Sequence, residues 1–175
     1  MTDACPDTDP TGGFPALVAD ALALVGLTYP DQAYLDAVAP GETPERQAEM
    51  GRESGCALLW RAQNGGEAPY RDGQAFADLW ELAGGSPWKP GGRVRLPVAG
   101  EMPERGDAVV YGKGPGGPEH VDLCWLGDQR AVAGGQRTGA GLETIAIVTR
   151  QLTWGGGHLV DLHTGRPVIA LIAPA

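Results

Sequence analysis

The sequence predicts an α+β fold in which N-terminal helices pack on a small antiparallel β-sheet. Three observations carry this. Helical patterning falls in the first half of the chain. Short β-branched runs punctuated by glycine fill the second half. Apolar residues make up 42% of 175 residues, enough for one sizeable core. Neither half looks able to bury a core alone and no internal repeat is present. Residues 14–175 are therefore expected to form one domain behind a disordered tail, 1–13, of Asp, Thr, Pro and Gly. The 28 glycines and 15 prolines lie between patterned segments, which predicts many loops on an ordered scaffold.

The first helix is expected to run from Pro15, which suits a first helical position, to a stop at Gly26. Between them, ALVADALALV is apolar nearly all round, which predicts burial. A second short helix is expected behind Thr43 as cap and Pro44, running through ERQAEM. A third begins near Cys56, capped by Ser54 or Gly55, and ends at Gly65 and Gly66. In DGQAFADLWELAGG, Phe76, Leu79, Trp80 and Ala83 lie at helical spacing and Gly84 ends the run. A long Gly/Pro-rich connection follows, with a short strand at Arg93–Leu96. The strand signals are DAVVYG, EHVDLCWLG, RAVAGG, TIAIVTR and PVIALIA, the first two separated by GKGPGGP as a loose hairpin loop.

Composition excludes several partners. The net charge is −9 and the arginines are scattered, which argues against nucleic acid and anionic membrane surfaces. Three cysteines at 5, 56 and 124 form neither a disulfide framework nor a zinc motif, so no metal and no cofactor is expected. The N-terminus has no basic region followed by an apolar run, so the chain is expected to be made in the cytoplasm without a signal peptide. The longest apolar stretch, Phe14 to Leu27, is too short to span a bilayer and holds Asp20.

Cys56 is the candidate nucleophile. A helix N-terminus favours thiolate through the macrodipole and its unsatisfied N–H groups, and Cys56 stands where one is expected. The competing reading is an inert buried cysteine. His120 is the candidate base, opening HVDLCWL directly after a Gly-rich loop; an exposed loop histidine is the alternative. Strict alternation would put His120, Asp122 and Cys124 on one face and Val121, Leu123 and Trp125 on the other. His158 and His163 read as loop residues. A third group should orient the imidazole. Gln136, after Gly134 and Gly135 on the next strand, is preferred. Asp122 competes, but it lies about 6.7 Å along the same strand, a separation at which side chains seldom meet squarely.

The order of these passages resembles the CHAP/NlpC-type peptidases, small papain-like cysteine hydrolases, and most of all a branch common in bacteriophages and bacterial genomes. The cysteine opens an apolar helix, CALLWRA. AFADLWELAG looks like that branch's helix with an aromatic shortly before a glycine. PERGDAVVYG matches the Pro-x-x-Gly-Asp turn into the first sheet strand. HVDLCW followed by AVAGGQ looks like the His-Val strand and the Gly-Gly-amide after it. The resemblance covers roughly residues 50–136 and is specific in its order more than in any one motif.

The resemblance implies a papain-like fold and cleavage of amide bonds in peptidoglycan, as endopeptidase or amidase. Cys56 would attack the carbonyl, His120 would shuttle the proton, and Gln136 would take the family's Asn position. The Cys56 N–H would be one oxyanion donor, with Asp122 as support and Asp107 as a structural turn residue. The segment 137–165 departs from the family in being longer than expected between that strand and the last; its hairpin would form an added wall of the cleft with Trp154 contacting substrate, unless it is a surface hairpin with one core tryptophan. The setting would be phage lysis, a phage tail or an injected effector, acting at the cell wall or in a virion, with phage-tail or secretion-particle proteins as partners. Two departures, Ser54-Gly55 in place of an aromatic residue before the cysteine and Gln136 in place of Asn, favour an alternative. That alternative is a non-catalytic structural module of a tail or secretion particle. Acyl or amide transfer on a protein target is a third reading.

Overall fold

Among the described residues the helices precede every strand, and every strand pairing is antiparallel. The computed structural model describes residues 15–51, 55–64, 94–115 and 119–174. The expected tail, the helix over DGQAFADLWELAGG and the Gly65-Gly66 stop lie outside them.

Helix α1 (Pro15–Ala23) starts at the proline but ends before Gly26. Leu24 and Val25 form tight-turn bonds back to Ala21 and Leu22. Gly26, at φ +95°, then donates its N–H to the Ile145 carbonyl at 2.8 Å. The chain is thus handed to a strand, and Thr28 bridges Thr144. Helix α2 (Gln32–Val38) answers to no expectation from the sequence. It is a two-turn segment between prolines whose Tyr34, Leu35 and Val38 are buried, so burial rather than propensity holds it. Helix α3 (Pro44–Met50) has Thr43 as N-cap, its hydroxyl accepting from the Arg46 N–H at 3.3 Å, and Pro44 in the first turn, as expected. Helix α4 (Gly55–Gln63) is buried from Gly55 through Trp60.

The strands form two sheets. β1 (Val94–Arg95), β2 (Ala108–Tyr111), β3 (His120–Asp122), β7 (Leu152–Gly155), β8 (His158–Asp161) and β9 (Arg166–Ile172) make a six-stranded sheet. Its order is β3-β2-β9-β8-β7, with β1 also on β9. The second sheet is β4-β5-β6, from β4 (Cys124–Gly127), β5 (Arg130–Arg137) and β6 (Glu143–Thr149). The expected hairpin within 137–165 is present as β7–β8, turning through Gly156 and Gly157, both at positive φ.

HVDLCWL is therefore two strands in two sheets, and the break at Leu123 overturns the expected alternation. The Leu123 N–H already pairs with Val132 on β5, while Val121 and Cys124 share one apolar cluster and Trp125 joins another. Cys124 does not share a face with His120 and Asp122. The first cluster joins the helices to the sheets through Val18, Tyr34, Leu58, Leu59, Val121 and Ile145. The second lies around Val109, Tyr111, Trp125, Leu159 and Leu171. Val110 and Tyr111, neighbours on β2, fall in different clusters, as side-chain alternation requires.

Helix α4 lies directly on β5 and β3. The approach is closest at Gly134, where a Cβ would stand 2.7 Å from the Gly55 carbonyl oxygen, a backbone atom that cannot give way. Gly134→Ala is expected to lower the unfolding free energy by about 1–3 kcal/mol, the range for overpacking a close contact. Gly139→Ala, which meets nothing within 4 Å, should change it by less than about 0.5 kcal/mol. Urea denaturation of the two variants checks this.

Candidate active site

The site is built where the first turn of α4 meets the end of β3. Cys56 is the second residue of α4, so its N–H is among those with no intrahelical partner. Two glycines seat it. Gly134 admits the Gly55 backbone, and Gly135, at φ +67°, leaves room where a Cβ would meet the Cys56 nitrogen at 3.1 Å. A register shift between Ala133 and Gln136 bends β5 at the same point. Beneath the helix start lies the buried Glu143. Its carboxylate accepts from the Tyr34 hydroxyl at 3.0 Å and from the Gly55 N–H, so it caps α4. Burial pushes the Glu143 carboxyl up, and the Tyr34 hydroxyl, Arg137 and the Gly55 N–H offset only part of that rise. Burial and the Glu143 carboxylate push the Tyr34 hydroxyl up, which keeps it a donor.

His120 opens β3, buried, with its ring within hydrogen-bonding reach of the Cys56 thiol. Nε2 is 2.9 Å from Asp122 Oδ1, which leaves Nδ1 as the nitrogen for the sulfur. Burial works to lower the imidazole. The Asp122 carboxylate and the Cys56 sulfur outweigh it, and the ring is pushed up to about 9. Asp122 is fully buried. Burial would raise its carboxyl, but His120 and the Arg150 guanidinium hold it well below the usual carboxylate range. Its Oδ2 also accepts from the Tyr111 hydroxyl and from Arg150 Nε, each at 2.8 Å, and Arg150 Nη2 donates to Oδ1.

Of the two candidates for orienting the imidazole, it is Asp122 and not the preferred Gln136 that bonds the ring. The bend in β5 sets Gln136 opposite Thr144, and its amide turns back to donate to the Gly134 carbonyl at 3.2 Å. It does not reach the ring. Asp122 does, because β3 ends there, both side chains share a face, and the imidazole's own length spans the gap. Trp154, the expected substrate contact, lies on β7. Its indole is half-buried against the second apolar cluster, and its N–H donates to the Glu101 carbonyl at 2.6 Å. Asp107 accepts from the Glu104 N–H and from Arg95, the work of a turn residue. His158 is exposed at the start of β8 and His163 is exposed in the following turn. Cys124 lines a cavity of about 100 Å³ with Leu17, Ala21, Ala108 and Ile172, and burial pushes its thiol up to about 11.

No family model, curated protein or solved structure matches the chain. Among the described residues no cluster of His, Cys, Asp and Glu is placed to hold a metal ion, and no helix is long and apolar enough to cross a membrane.

Sequence reasoning did not find Arg150, Tyr111, Tyr34 or Glu143. Each is a single polar residue at or near the end of an apolar run, a position that reads as a solvent-facing strand or helix end. Their shared signal, a polar group that burial forces to find a partner, exists only once the elements are docked.

What the arrangement can do is move a proton between a thiol and an imidazole whose orientation is fixed. The folded ring binds its proton more tightly than the usual value of 6.5 allows. The stability this supplies is fully present below about pH 6.5 and is lost as pH rises through about 9. In NMR titrations the His120 ring should titrate near 9. In Asp122→Asn, where burial is no longer outweighed by a carboxylate, the midpoint should fall by at least about 1 unit.

Proposed function

We propose that the chain is a papain-like cysteine hydrolase that cleaves amide bonds, with the peptides of peptidoglycan as its substrate class. One observation carries the reading: a thiol at a helix N-terminus within reach of an imidazole whose far nitrogen is held by a buried carboxylate. In this reading Cys56 passes its proton to His120 and its sulfur attacks the carbonyl carbon. The negative oxygen of the tetrahedral species accepts from the Cys56 N–H at the start of α4. His120 then protonates the departing amine, leaving an acyl group on Cys56. A water molecule, losing its proton to His120, releases the acid and restores the thiol. Asp122, rather than a side-chain amide, holds the ring through these transfers. Helices followed by an antiparallel sheet, with the cysteine on a helix and the histidine on a strand, fit the papain-like fold.

The substrate class rests on the resemblance of residues 50–136 to the CHAP/NlpC-type peptidases. By the same resemblance the protein acts at the cell wall, in phage lysis, on a tail or as an injected effector.

At pH 7, iodoacetamide should label Cys56 faster than Cys124, and His120→Ala should slow the Cys56 reaction at least tenfold. In zymograms against purified peptidoglycan the wild type should clear. Cys56→Ala should lose activity by on the order of 10³-fold or more. Equal labelling of the two thiols with no clearing would assign the chain to the non-catalytic structural role. Fast labelling without clearing would keep the hydrolase and reject peptidoglycan.

A further inference from the structure

His120 shares its carboxylate with a second cation. Each oxygen of Asp122 is used twice. Oδ1 accepts from His120 Nε2 and from Arg150 Nη2, and Oδ2 accepts from Arg150 Nε and from the Tyr111 hydroxyl. The guanidinium grips the carboxylate with both arms and brings Nη2 within 3.2 Å of His120 Nε2. Arg150 is itself anchored. Its carbon lies 5.3 Å from the centroid of the Tyr111 ring, and Nη1 is 3.9 Å from Asp161 Oδ2. Asp161 is in turn held by the Thr164 hydroxyl and the Gln151 N–H, each at 2.8 Å.

A buried carboxylate paired with an imidazole alone tends to trap the proton. The base of a thiol hydrolase must return that proton to the leaving group, so its affinity for it has to be limited. A guanidinium that remains charged at every accessible pH, placed against the same carboxylate, supplies the limit. The groups facing the ring are Cys56 from α4, Asp122 from β3, Tyr111 from β2 and Arg150 from beyond β6, with Asp161 of β8 behind Arg150. Arg150 is the one among them that brings a positive charge to the ring, 3.2 Å from Nε2.

We propose that Arg150 is a positioning residue for His120: its fork fixes the Asp122 carboxylate against the ring and, by drawing on the same charge, keeps the ring able to release its proton. The inference rests on reading Cys56 and His120 as nucleophile and base. Two arms on two oxygens is a geometry that lysine cannot reproduce.

The test needs no substrate. The His120 ring is titrated by NMR, and the pH–rate profile of Cys56 alkylation by iodoacetamide is recorded, in wild type, Arg150→Met, Arg150→Gln and Arg150→Lys. Loss of the guanidinium should move the ring midpoint and the alkylation profile to higher pH by about 1 unit in either neutral variant. Arg150→Lys should return the midpoint most of the way. An unchanged or lowered midpoint in a folded neutral variant overturns the proposal. So does unfolding of both neutral variants, which would assign Arg150 to the fold alone. If instead His120→Ala leaves the wild-type alkylation profile untouched, the nucleophile–base reading fails, a result distinct from variants at Arg150 that merely copy the wild type.

Discussion

The Asp122 carboxylate is the constraint on which the rest depends. It has no exposed surface, and a charge removed from water must find donors inside the protein or give up its charge. Asp122 finds them on three separate pieces of chain: Tyr111 on β2, His120 on its own strand and Arg150 beyond β6. Tyr111 and His120 belong to the six-stranded sheet, and Arg150 follows the last strand of the other. The carboxylate therefore ties the two sheets together at the point where the chain crosses between them at Leu123. Breaking such a set by removing one member leaves an uncompensated charge, which costs far more than the set adds over an apolar core. The arrangement is better explained as a way of holding an imidazole in one orientation than as a source of stability.

A second buried carboxylate does the matching work on the other side of the thiol. Glu143 satisfies the Gly55 N–H and ties it to Tyr34 of α2, so the start of α4 is anchored to β6 and to a neighbouring helix. Gly134 and Gly135 allow the helix to approach β5 closely enough for this to happen. The sulfur is thus positioned by backbone contact with one sheet, and the ring by a carboxylate shared between both. The pairing of Cys56 with His120 is a consequence of how α4, β3 and β5 dock.

Much of this was legible in the chain, and the failures have a common cause. The helix beginning at Cys56, the Thr43 cap and the strands around Val109, Val132 and Ala170 follow from local patterning, because one period or one cap decides each of them. The proximity of Cys56 and His120 was anticipated from types and order. The orienting group is legible only as one of two candidates, and local pattern ranks them the wrong way round. Gln136 attracts the role because it follows a glycine pair on an adjacent strand, yet that pair serves to seat α4, and the bend at that point turns Gln136 away. The spacing of a flat strand counts against Asp122, whereas β3 ends at that residue. Arg150 gave no signal, since one arginine closing an apolar strand reads as its solvent-facing end. Partners of a buried charge are chosen by docking, which no local pattern encodes.

The two buried thiols show how little burial decides by itself. Cys124 and Cys56 are both removed from solvent, and both belong to the same apolar cluster. Around Cys124 are Leu17, Ala21, Ala108 and Ile172, with no imidazole to take its proton, and burial raises the thiol to about 11. Its thiol donates to the Trp125 carbonyl at 3.8 Å, and the Gly106 N–H and Arg105, which pull its pKa down, do not overcome burial. Cys56 instead meets a helix N-terminus on one side and a proton acceptor on the other. Exposure to the same degree would have left these residues indistinguishable. What separates them is the imidazole: His120 stands beside Cys56 to take its proton, and no imidazole stands beside Cys124.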